Sequence, residues 1–181
     1  MKARGALLVV AAPVIVMAAW LLWLQFSFSQ GTDVIFKVRG RDPRDLLRGH
    51  YIEYDVDYGE RAYADLSSFN WSPSRDESVC MCLQSTSGLP IAQATAVWCS
   101  KRDPAACPLF LQGSSPYGPF FWAGIERYYI PEPPEPNPLQ TIPEGTTITV
   151  RVAKSGAGYV TGMFVKGQPV LEYARSLAQV P

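Results

Sequence analysis

The sequence is poor in the residues that most often mark chemistry. It has one histidine, His50, and a single imidazole makes a poor metal site. It has no C-x2-C pair: the four cysteines are Cys80, Cys82, Cys99 and Cys107, a spacing that lacks the paired thiolates of zinc centres. There is no G-x-S-x-G elbow and no carboxylate pair at a defined spacing. Nothing in it asks for a cofactor or a metal. Neither sign of charge is in surplus, with Lys+Arg 16 against Asp+Glu 16. A near-neutral chain gives no electrostatic reason to expect nucleic acid or an anionic lipid surface as partner. Internal repeats are also absent.

One local absence is more informative. After Lys2 and Arg4 there is no charge before Asp33, and residues 5–24 read GALLVVAAPVIVMAAWLLWL. About 20 apolar residues at 1.5 Å each span a hydrocarbon layer of roughly 30 Å. Pro13 is tolerated in such a helix. Trp20 and Trp23 suit one interface, and Lys2 with Arg4 set the cytoplasmic side. The expectation is a cytoplasmic n-region (1–4), a transmembrane anchor (5–24), a juxtamembrane linker (25–33) and an exported, periplasmic domain (34–181). The alternative is a signal peptide cleaved near Ser29, at Ser27-Phe28-Ser29, and secretion.

About 150 residues remain, enough for one domain with its own core. Gly 14, Pro 16 and 12% aromatics favour short strands joined by many turns. Residues 34–39 (VIFKVR) are β-rich. In HYIEYDVDY (50–58), Ile52, Tyr54, Val56 and Tyr58 alternate with Glu53, Asp55 and Asp57, the pattern of a half-buried strand. Residues 59–77 are polar and broken, and read as loop with at most one helical turn. SVCMCLQS (78–85) and IAQATAVWCS (91–100) flank TSGLP as a hairpin. The tract 103–119 is rich in Pro and Gly, and FFWAGIERYYI (120–130) is strand-like. PEPPEPNP (131–138) lacks the N–H groups a sheet ladder needs, so it reads as an extended surface loop. TTITVRVA (146–153) and YVTGMFVKG (159–167) are two further strands, and Lys166-Gly167 a tight turn. Residues 171–180 fit a strand or a helix equally. The fold expected is all-β: a compact antiparallel barrel or sandwich of about seven short strands behind one transmembrane helix, without a second long helix.

An even number of cysteines in an exported domain points to two disulfides, with three connectivities open. Cys80 and Cys82 would face the same way on one strand and so would not bridge each other easily. Each is expected to bridge to Cys99 or Cys107.

The stretch DPRDLLRGHY (42–51) has the look of an active site but obeys helix-turn rules. Asp42 suits an N-cap, Pro43 the first helical position, and Asp45 the acid of a capping box. Arg48 complements the C-terminal dipole and Gly49 a left-handed cap. His50 and Tyr51 alone stay open to a binding role. At this stretch the chain resembles the GDYXXLXY domain proteins, a family of exported or membrane-anchored bacterial proteins. The signature is similar to GHYIEYDV (49–56), where Gly49 and Tyr51 agree while His50, Tyr54 and Val56 stand at its Asp, Leu and final Tyr. ERYYIPE (126–132) is a second likeness, through Arg127, Tyr128, Pro131 and Glu132. VTGMFVKGQP (160–169) is a third. The resemblance implies an anchored or exported β domain acting beside membrane proteins, and implies no reaction.

Two functions fit. One is a non-enzymatic module that binds a membrane or envelope protein, with the aromatics of YGPFFW (117–122), namely Tyr117, Phe120, Phe121 and Trp122, either as a binding edge or simply as core. The other is a periplasmic hydrolase of signal-peptidase type. Lys37, Lys101, Lys154 and Lys166 have serines in their vicinity, but no serine sits in a nucleophile motif.

Overall fold

The computed structural model of the chain describes residues 2–40, 51–69, 78–84, 89–91, 93–115, 120–130 and 142–178. Two compact units divide it, residues 1–31 and 32–181. The first is a single helix, α1 (Lys2–Ser29), which runs through Pro13. Its described side chains begin at Ala12, and Val14, Ile15, Val16, Met17, Trp20, Leu21, Leu22, Trp23 and Phe26 are all exposed. Successive helical residues turn by about 100°, so this run is apolar around its whole circumference. Among the described residues no helix is long and apolar enough to cross a membrane. The helix continues to Ser29 and the first strand starts at Thr32.

The second unit is mostly β and antiparallel. Its larger sheet has the order β6-β2-β1-β7-β8-β9, from β1 (Thr32–Gly40), β2 (Tyr51–Asp57), β6 (Arg127–Tyr129), β7 (Thr146–Val152), β8 (Gly158–Val165) and β9 (Gln168–Pro169). The smaller sheet is β4-β3-β5, from β3 (Val79–Leu83), β4 (Ala94–Trp98) and β5 (Phe110–Gly113). Alternation decides which face goes inward, because successive side chains on a strand point to opposite sides. Val34, Phe36 and Val38 of β1, Ile52, Tyr54 and Val56 of β2, and Ile148, Val150 and Val152 of β7 all enter one core. Register locks them in pairs, Phe36 opposite Ile148 and Val38 opposite Val56. A one-residue slip would turn the whole row to water. Val79, Met81 and Leu83 of β3 and Leu111 of β5 complete the same core.

The disulfides are Cys80–Cys99 and Cys82–Cys107, which decides between the two pairings left open by the shared orientation of Cys80 and Cys82. Two intramolecular bridges fit an oxidising compartment outside the cytoplasm. In the chain-entropy picture each loop, of 19 and 25 residues' separation, stabilises by about 3 kcal/mol.

Several expectations need correction. Residues 60–68 form a helix, α2 (Glu60–Ser68), rather than a loop. Ala62 and Leu66 four apart put an apolar stripe on the core, and Asp65 Oδ2 accepts the Ala96 N–H at 3.1 Å. The C-terminal segment resolves to a helix, α3 (Val170–Ala178), with Val170 and Ala174 buried. The tract 103–119 contains β5, which periodicity over four residues could not announce. Conversely, only Arg127–Tyr129 of residues 120–130 is a strand, so nine strands stand among the described residues where about seven were expected. The Lys166-Gly167 turn holds: both residues have positive φ, 51° and 82°, as the tight turn between β8 and β9 demands. The turn of Asp42, Pro43, Asp45, Arg48 and Gly49, and the loop 131–138, lie outside the described residues.

Candidate functional site

β2 is a strand with two different halves. Tyr54 to Asp57 pair with β1, while Tyr51, Ile52 and Glu53 pair with β6. The partnership with β6 stops there because the chain approaching it turns at Gly124, whose φ of +80° an L side chain rarely adopts. The last link is the Tyr54 N–H donating to the Glu126 carbonyl at 3.1 Å. Past that point the segment 120–126 stands off from β2 and a groove of about 670 Å³ opens. Its floor is the second half of β2 and Tyr58. One wall is Phe120, Phe121, Trp122 and Glu126, another is Glu60 and Tyr63 of α2, and Arg39 sits at the rim.

The far wall is anchored on the smaller sheet. Ser114, just beyond β5, and Trp122 exchange two backbone hydrogen bonds of 2.9 and 2.8 Å. Gly113 makes this approach possible: a Cβ there would lie 2.3 Å from the Trp122 carbonyl and 2.7 Å from the Phe121 ring. Phe121 is buried, Trp122 half-buried in the wall, and Phe120 is 61% exposed at its lip. Phe121 is thus a core residue, and Phe120 is not. Tyr117 lies outside the described residues.

Three tyrosines form the polar interior. The Tyr54 hydroxyl donates to the Ile125 carbonyl at 2.6 Å, and the Tyr63 hydroxyl to the Val56 carbonyl at 3.1 Å. Tyr58 is clasped edge-on between Phe36 and Phe121, at 5.6 and 5.4 Å between ring centres. Its hydroxyl is buried and has no hydrogen-bond partner among the described residues. Burial pushes the Tyr58 phenol well above its ordinary value, and the Glu126 carboxylate adds to that rise. Tyr54 and Tyr63 are raised too, first by burial and then by Glu126 and Asp57 respectively. All three stay protonated and neutral across physiological pH. Glu126 turns back on its own segment, where Oε1 accepts the Ala123 N–H at 2.7 Å. Asp57 caps the turn into α2, accepting the Gly59 N–H at 3.0 Å, and its other oxygen lies 3.5 Å from Arg39.

A second, smaller cluster lies where β2 meets β6. The Arg127 guanidinium sits 5.1 Å from the centre of the Tyr51 ring and 3.9 Å from Glu53. Tyr129 is opposite Tyr51 at 6.1 Å, and largely exposed. Tyr128 instead packs against the core. Thus Tyr51 and Arg127 meet, apart from the groove aromatics, and His50 lies outside the described residues.

The family model described as GDYXXLXY protein matches residues 13–163. The chain belongs to the GDYXXLXY family. No curated protein and no solved structure matches it. The family signature falls on β2, and the structure gives it a physical meaning. Its Leu and final Tyr positions, occupied by Tyr54 and Val56, are two apart and both buried on the core face. In this GDYXXLXY protein both side chains therefore face the core. Tyr54 keeps the bulk a core position needs, and adds the hydroxyl that ties Ile125 in place.

The groove residues that sequence reading overlooked are Tyr54, Tyr58, Tyr63 and Glu126. Tyr54 and Tyr58 had been assigned to the core by alternation, correctly; the neglected signal was that a core face carried two phenols, each needing a partner. Among the described residues no group of three or more His, Cys, Asp or Glu side chains is placed to hold a metal.

Proposed function

We propose that this protein is a binding module of the bacterial envelope, anchored by residues 5–24, which takes a segment of a membrane or envelope protein into the groove beside β2. The observation that carries the reading is the groove itself. It combines a volume of about 670 Å³ with an aromatic lip, Phe120, that is 61% exposed although the chain has core to bury it in. Large rigid rings at the rim of a pocket favour interface hot spots. The two disulfides support a domain outside the cytoplasm. The apolar side chains on every side of α1 support the anchor reading. None of the described residues lining the groove is Ser or Lys, so the hydrolase of signal-peptidase type draws no support from it.

The test places a photoreactive benzoyl-phenylalanine at Phe120 in the full chain in native membranes, with Tyr159 on β8 as control position. A discrete adduct to one envelope protein at 120 and not at 159 is expected. Equal background at both positions would sink the reading. The anchor is tested separately: a mature N-terminus at Gln30 would replace it by the secreted form.

A further inference from the structure

The groove is built from acceptors. Among the described residues Asp55, Asp57, Glu60 and Glu126 line it, with Arg39 as the cation at the rim. Acidic residues alone are commonly a solvated face, but Tyr58 adds an independent signal. Its ring is only 3% exposed and clasped between Phe36 and Phe121, while its hydroxyl has no partner among the described residues. A buried polar group without a hydrogen bond is rare in native structures, and one role for it is to await a ligand. The groups whose charges act on that hydroxyl are Glu126, Tyr63 and Tyr54, all lining the groove. The protons of Tyr54 and Tyr63 are already given to the Ile125 and Val56 carbonyls. Towards a newcomer these two hydroxyls therefore present lone pairs only. A ligand matching this end of the groove must bring N–H donors and positive charge.

The form of the cation is also constrained. A guanidinium binds best to a carboxylate whose two oxygens are both free for a parallel pair of bonds. Glu126 offers that poorly, because Oε1 already accepts the Ala123 N–H at 2.7 Å and has one lone pair left for a fork. An ammonium is a compact charge with three donors that need no planar fork. The approach to it is aromatic, along Phe120 and Trp122, which suits an aliphatic stem and adds cation–π attraction. We propose that the groove is a lysine-binding site: a lysine on the partner segment enters between Phe120 and Tyr63, and its ammonium is received by Glu126 and Tyr58. The assignment rests on the partner-docking reading above and names the chemistry of that partner.

The test is a chemical-shift titration of the full chain in detergent micelles, read at the Trp122 indole N–H. The probes are Nα-acetyl-lysine methylamide, its neutral norleucine and its arginine counterparts, and cadaverine as a free amine. The lysine probe should bind at least about tenfold more tightly than norleucine, the scale of one hydrogen bond to a charged group. Glu126→Gln and Tyr58→Phe should each remove about tenfold of lysine affinity and leave norleucine unchanged. The glutamine keeps the oxygen that accepts the Ala123 N–H, and Tyr58→Phe deletes a hydroxyl with no described partner, so both variants should keep the parent's melting temperature. Equal binding of lysine and norleucine, tighter binding of arginine, or variants without effect would each overturn the assignment. Cadaverine binding more tightly than the lysine probe would make this a small-amine site and overturn it as well. A Phe120 crosslink that persists in Glu126→Gln would spare the docking reading while removing the lysine from it. Absence of the crosslink in the parent protein removes docking itself, whatever the probes do.

Discussion

β3 and β2 are built on the same alternation and end with opposite chemistry. Val79, Met81 and Leu83 of β3 face the core, and the other face carries Cys80 and Cys82, whose thiols are consumed by Cys99 and Cys107. Ile52, Tyr54 and Val56 of β2 face the same core, but beyond Glu53 the strand loses β6 and its polar neighbours border a groove. One region has closed every reactive group against another. The other keeps a phenol without a described partner and a set of carboxylates beside an opening. The closed region also holds the open one in shape, because the Ser114 and Trp122 bonds hang the groove wall on β5.

The largest effect should come from unfastening the closed region. Removing either bridge, by Cys80→Ala with Cys99→Ala or Cys82→Ala with Cys107→Ala, should cost about 3 kcal/mol in urea unfolding. If the wall depends on that sheet, the loss should be accompanied by a changed Trp122 environment before global unfolding. A variant that loses stability with no change at Trp122 would uncouple the two regions. Gly113→Ala attacks the same joint from the other side. Its Cβ meets the Trp122 carbonyl, which is backbone and gives way poorly, so a cost of about 1–3 kcal/mol is expected.

Next comes one chemical deletion made on both sides of the closed and open distinction. Tyr54→Phe leaves the buried Ile125 carbonyl without its donor, and should cost about 1–3 kcal/mol. Tyr58→Phe removes a hydroxyl with no described partner and should be neutral or stabilising. Equal losses by thermal or urea unfolding would mean that Tyr58 does have a structural partner.

The smallest effect belongs to Asp33 and Arg151, a bidentate pair at 2.8 Å for both bonds, on the exposed faces of β1 and β7. Arg151 holds the Asp33 carboxyl below its ordinary value, through the hydrogen bond first. A depressed folded pKa stabilises above the unfolded value and loses that contribution as pH falls through the folded one. The window therefore lies below about pH 4. Asp33→Asn should flatten the fall in urea midpoint across that window and shift it only slightly near neutral pH, and molar salt should shrink the difference further.

Much of the fold could be read directly. Strand alternation placed Ile52, Tyr54, Val56 and Tyr58 inside, and the shared side of Cys80 and Cys82 ruled out a bridge between them. The described part of the signature stretch follows the same alternation, with Tyr54 and Val56 on the core face of β2. What escaped has identifiable causes. α2 was hidden because Ser67, Ser68 and Asp65 are weak helix formers, and its stability comes from Leu66 and Ala62 packing on the core. β5 was hidden because four residues carry too little periodicity. FFWAGIERYYI looked like one strand, but Gly124 divides it into a groove wall and a three-residue strand.

The sequence by itself determined what is local: which faces turn inward, where the apolar N-terminal run lies, which cysteines are barred from each other, and which family the chain resembles. Those depend on spacing along one chain, and spacing is visible in letters. Tertiary structure decided the rest. The groove exists because β6 leaves β2 after Glu53, and its walls come from residues 39, 54–63 and 120–126, which only folding brings together. Tyr54 lies on β2 and Tyr58 just past its end, both in the core, and one hydroxyl meets a carbonyl 71 residues away while the other meets no described partner. No pattern in the sequence separates those two phenols, because the difference between them is the position of a distant backbone atom.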